Sequence, residues 1–133
     1  MIRTTALLTV SLILVPSFRA ADKPDGVPIA LERKLHGGWK GGACQGDWTF
    51  AADGTFVLTH YSPGNNRLTG RWSVRWDALP PTLVLTIKTS DAPDRIKIGQ
   101  AWEVKLTQLD DAVLAYEWPR SPGHPVRFDR AKK

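Results

Sequence analysis

Three segments constrain this chain more than anything else: Gly37-Gly38-Trp39, the run from Trp48 to Phe56 with Asp53-Gly54 inside it, and Gly70-Arg71-Trp72-Ser73-Val74. Large apolar residues recur at every second position on both sides of Asp53-Gly54, the period of a half-buried strand, and Asp-Gly is expected to supply the positive dihedrals of a tight hairpin. An antiparallel sheet follows. The alternation continues down the chain and predicts up to eight strands: 38–40, 47–51, 55–62, 68–76, 82–89, 100–109, 112–118 and 125–130. Each connection carries turn chemistry, as in Pro63-Gly64-Asn65-Asn66, Asp91-Ala92-Pro93-Asp94 and Asp110-Asp111. Short, evenly spaced strands joined in sequence favour an up-and-down barrel over a sandwich, because closure also removes exposed edges. The expected fold is therefore all-β, a single antiparallel barrel of up to eight strands with a short N-terminal helical turn.

Side chains two apart share a face of a strand. One face gathers Trp48 and Phe50; Phe56, Leu58 and His60; Trp72, Val74 and Trp76; Leu83, Leu85 and Ile87; Trp102, Val104 and Leu106; Leu114, Tyr116 and Trp118; Val126, Phe128 and Arg130. The other is largely Asp47, Thr49, Arg71, Ser73, Arg75, Thr82, Thr86, Lys88, Glu103, Lys105 and Glu117. The first set is assigned to the core. Before it, Ile29 to Leu35 is expected to make one or two helical turns, which Gly37 and Gly38 would stop.

The N-terminus reads as a targeting segment. Arg3 precedes an apolar stretch, Ala6 to Val15, closed by Pro16. About ten such residues match a secretory signal and fall short of the roughly 20 that span a bilayer. Residues 1–20 are assigned to a cleaved signal, with cleavage after Ser17 or Ala20; the alternative is a retained membrane tether. Residues 21–34 form a lead-in, 35–130 the barrel and 131–133 a basic tail. Removal of the first 20 of 133 residues takes Arg3 and Arg19 and no acid, leaving 16 basic against 13 acidic residues. Basic and acidic residues interleave, so no nucleic-acid stripe emerges, and no stable membrane insertion is expected once the signal is gone. The expected location is periplasmic or extracellular.

At this point the chain resembles the lipocalin-like (calycin) barrels, in particular small exported bacterial domains of unassigned function. The resemblance is carried by Gly37-x-Trp39, Trp48-x-Phe50-x-x-Asp53-Gly54-Thr55-Phe56, Gly70-x-Trp72-x-Val74 and Val126-x-Phe128-x-Arg130, and it spans residues 35–130. It implies that Trp39 closes the base of the barrel with an arginine from the last strand over its ring, Arg130 by parity and Arg127 as fallback. Gly37, Trp39 and Arg130 are thus structural in the resemblance. It also implies a small apolar or amphipathic ligand. The chain departs from typical lipocalins in being shorter and in lacking paired cysteines.

Nothing in the sequence assembles a catalytic constellation: there is no nucleophile elbow, no phosphate loop and no metal-binding His or Cys spacing. The expectation is a protein that is not an enzyme and uses no cofactor or metal. Cys44, the single cysteine, leaves three readings: a buried small residue, an intermolecular bridge or a reactive group; burial is the commonest fate of an unpaired cysteine. His36 could couple to Cys44, but the surrounding glycines read as a loop, and His124 reads as a solvated turn residue. His60 shares the inward face and needs a polar partner there. A ligand site of Phe56, His60, Trp72 and Tyr116 is expected, the aromatics giving apolar contact and the imidazole or phenol fixing a polar end. The rival expectation is a packed, ligand-free barrel serving as an envelope interaction or structural module, since five inward tryptophans could fill an interior of this size.

Overall fold

The computed structural model describes residues 27–42, 45–60 and 66–133, with the backbone only for residues 27–29 and His60. The expected signal, Cys44 and the β-turn at residues 63–65 lie outside the described residues. One helix, α1 (Val27–Leu35), precedes eight strands: β1 (Gly37–Lys40), β2 (Asp47–Phe50), β3 (Thr55–His60), β4 (Asn66–Arg75), β5 (Thr82–Ser90), β6 (Ala101–Leu109), β7 (Val113–Glu117) and β8 (Val126–Arg130). Each strand pairs antiparallel with its sequence neighbour, and β8 returns to β1 through Trp39 opposite Arg130, closing the barrel.

An up-and-down course places alternate connections at opposite ends. One end, the base, holds α1 and the β2–β3, β4–β5 and β6–β7 connections. The other, the mouth, holds the β1–β2, β3–β4, β5–β6 and β7–β8 connections. The inward residues of the alternating pattern fill the interior beneath the mouth: Trp39, Phe50, Phe56, Leu58, Leu68, Leu83, Leu85, Ile87, Val104, Leu114 and Phe128 are all fully buried, and Leu35 of α1 joins them at the base. Apolar area withdrawn from water by this set is the main stabilising term, since no disulfide can close within a chain of one cysteine.

The base is locked by an arginine. Arg130 lies over the Trp39 ring at 3.7 Å. Its guanidinium donates to the carbonyls of His36 (2.7 Å), Lys34 (2.5 Å) and Asp111 (3.1 Å), so it satisfies carbonyls left open where α1 ends. Trp39 Nε1 donates to the Leu35 carbonyl at 2.8 Å. Gly37 makes the turn out of α1 at φ +107°, a conformation that L side chains rarely adopt.

Two details differ from the expectation. The β2–β3 connection is wider than a two-residue Asp-Gly turn: only Gly54 has positive φ, and Asp53 acts through its carboxylate, which accepts from Thr55 N (2.9 Å) and Oγ1 (2.7 Å). Two bulges also interrupt the strict alternation. Pairing skips Lys88 of β5 where Gly70 faces Ile87, and Thr107 of β6 where Leu106 faces Tyr116. Gly70 is required at the first, because a Cβ there would lie 1.9 Å from the Thr86 carbonyl oxygen and 2.8 Å from the Phe56 ring. The second bulge turns Leu109 back toward the core.

Candidate functional site

The barrel is filled at the base and hollow at the mouth. A cavity of about 700 Å³ opens there, walled by Trp48, Trp102, Tyr116 and Trp118 with Leu58, Ile96 and Val126. Strand register brings these residues to one end: Trp48 opposes Leu58, and Tyr116 opposes Val126. The aromatic rings brace one another. Trp48 stacks on Tyr116 at 5.4 Å, and Trp102 meets Trp118 edge to face at 5.8 Å. Trp118 also meets Tyr116 at 5.9 Å, so the wall is a continuous set of rings. Beneath the cavity, fully buried Phe50 and Phe128 pack against Trp48.

Polar groups sit in and around this wall. Burial pushes the Tyr116 phenol well above its ordinary pKa, so it stays protonated at neutral pH. Its hydroxyl makes no hydrogen bond with any described residue. Trp48 Nε1 is likewise buried without a partner among the described residues. At the rim stand Arg95, Gln100, Glu103, Arg120 and Gln45. Arg95 and Gln100 come from the β5–β6 connection, Arg120 from the β7–β8 connection and Glu103 from β6.

The four residues expected to bind ligand are not brought together. Tyr116 lines the cavity. Phe56 is buried at the base end, against Gly70. Trp72 also faces the base: it meets Phe50 at 5.9 Å and His36 at 5.7 Å, and its Nε1 donates to the Ala51 carbonyl at 3.0 Å. His60 ends β3 at the mouth, its backbone opposite Asn66, and its side chain lies outside the described residues. Of the five tryptophans assigned inward, Trp48, Trp102 and Trp118 reach the cavity. Trp76 falls past the end of β4 and sits half-buried at the base beside Leu31 and Leu109. The reason is direction: even-numbered strands run from mouth to base when their predecessors run from base to mouth, so residues at the same depth come from the start of one strand and the end of the next.

Arg95, Ile96 and Arg120 were missed. The signal that finds them is the parity of the connections, because the β5–β6 and β7–β8 loops of an up-and-down barrel must share the Trp48 end with the β1–β2 loop. Among the described residues no three His, Cys, Asp or Glu side chains gather as a metal site, and no helix is long and apolar enough to cross a membrane. Comparison with family models, curated proteins and solved structures gives no match to this chain.

Proposed function

We propose that this protein is an exported, lipocalin-like barrel that binds a small apolar or amphipathic molecule in its mouth. The observation that carries the reading is the cavity of about 700 Å³ walled by Trp48, Trp102, Tyr116 and Trp118. Its size is within the roughly 300 to 1,000 Å³ of small-molecule sites, and it pairs an aromatic wall with a polar, partly charged rim, the two-sided lining that an amphipathic molecule requires. The lipocalin-like assignment is supported by the closed eight-stranded barrel and by Arg130 over Trp39 behind a short helix. Export rests on residues 1–20, outside the described residues, and no enzymatic activity, cofactor, metal or nucleic-acid partner is proposed.

The test is a fluorescence titration with N-phenyl-1-naphthylamine, an uncharged two-ring probe. Saturable probe enhancement with quenching of tryptophan emission is the expected result. Absence of saturable binding would leave the rival reading, a packed envelope module, which the filled lower barrel favours.

A further inference from the structure

Resting on that reading, we propose that the mouth is selective for a flat aromatic anion, with its ring system among Trp48, Tyr116, Trp102 and Trp118 and its acidic group against Arg95 and Arg120. Two independent features of the cavity point to this class of ligand.

The first is charge. Arg95, Arg120 and Glu103 are the ionised residues lining the cavity. Glu103 is engaged by Arg75 at 3.0 Å, which leaves the rim with two uncompensated cations. The Arg95 side chain makes no ion pair or hydrogen bond with a described residue. Arg120 lies 5.5 Å from the Trp118 ring and has no carboxylate partner among the described residues. Asp91, in the same connection as Arg95, is turned to the Arg67 backbone (3.2 Å), and Asp94 is exposed and does not line the cavity. A guanidinium offers a planar fork of donors that fits a carboxylate or sulfonate in two-point contact.

The second is shape. The walls are ring faces and edges, and the floor closes at Leu58 and Trp48 above fully buried Phe50 and Phe128. Such a pocket ends where the buried core begins. It suits stacked or edge-on rings, whereas a long alkyl chain would need a channel that the lower core occupies. The protonated, unpartnered Tyr116 hydroxyl adds a neutral donor within the wall. A neutral donor strengthens contact with an anion without adding to the charge of the site.

A matched pair of probes separates this proposal from ligand binding in general. 8-Anilinonaphthalene-1-sulfonate has the ring system of N-phenyl-1-naphthylamine plus one sulfonate. The purified protein is expected to bind the sulfonate at least about tenfold more tightly at low salt, a preference that weakens as salt screens the exposed rim. In the double variant Arg95→Gln/Arg120→Gln the two affinities should converge through loss of sulfonate binding alone. Both arginines are exposed, and circular dichroism checks that the variant is folded. A charge-matched control, Lys132→Gln/Lys133→Gln, removes two cations beyond the base and should leave both affinities unchanged. If neither probe binds, the ligand-binding reading itself falls. If the uncharged probe binds but the sulfonate gains nothing, or the arginine variant keeps the gain, binding stands and selectivity for anions is overturned. Equal loss in the lysine control would also overturn it, because net charge and not the rim would then explain the preference.

Discussion

Trp39 and Arg130 do the most at the scale of single residues. The indole is fully buried, its N–H is tied to Leu35, and the guanidinium over it holds three carbonyls from two separate segments of chain. Removing the ring would open a cavity, unseat Arg130 and release the end of α1 together. Trp39→Ala is therefore expected to cost about 3 to 5 kcal/mol in a urea titration followed by circular dichroism. A cost below about 1 kcal/mol would show that the base relaxes around the loss. This pair was legible through the resemblance, which implied an arginine of the last strand over Trp39, while parity with Val126 and Phe128 selected Arg130 over Arg127. The role of Gly70 was not, since its necessity comes from the Thr86 carbonyl across the sheet, a contact between residues sixteen apart.

At the scale of elements, the hairpin ends are fixed by carboxylates acting on their own turns. Asp110 Oδ1 accepts from Ala112 N at 2.8 Å and Val113 N at 2.7 Å, and its other oxygen accepts from Gln108 Nε2 at 2.9 Å. The Gln108 bond, with the two backbone donors behind it, holds the carboxyl below its ordinary value of 3.8. Asp53 is lowered in the same way, first by the Thr55 hydroxyl and then by the Thr55 N–H. A carboxylate depressed in the folded state contributes stability that is complete above its unfolded pKa and is lost as pH falls through the folded value. Asp110→Asn keeps an acceptor oxygen but cannot titrate. Wild type is thus expected to exceed this variant in melting temperature at pH 6, with the gap closing as pH drops below about 3.8. A gap that stays constant from pH 6 to pH 2 would assign the difference to geometry alone. The places of the described turns were legible, though not the width of the β2–β3 connection, and all eight strands were legible to within a residue or two. The bulges at Lys88 and Thr107 were not, because neither skipped residue disturbs the alternation enough to mark where pairing slips.

Across the whole molecule, the closed core and the open cavity are separated along the barrel axis. Fully buried Phe128 packs with Trp48 and Tyr116 near the centre, whereas half-buried Trp118 belongs to the mouth and touches Trp102, Tyr116 and Arg120. The candidate site was only partly readable for the same reason: face follows from period two, but depth depends on strand direction and register, so Tyr116 was placed at the mouth while Phe56 and Trp72 belong to the base. This division makes opposite demands on two aromatic truncations. Phe128→Ala should cost about 3 to 5 kcal/mol, because a fully buried ring leaves a cavity that a closed barrel cannot collapse. Trp118→Ala should cost less than half as much, since the indole is only partly buried and its loss widens an open cavity instead of leaving a closed void. Its effect on N-phenyl-1-naphthylamine should be the larger one, a loss of at least about tenfold in affinity through removal of one wall of the cavity. Urea denaturation and probe titration on the two variants measure both quantities. Equal destabilisation by the two truncations, or undiminished probe binding by Trp118→Ala, would mean that the aromatic wall serves the fold and not a ligand.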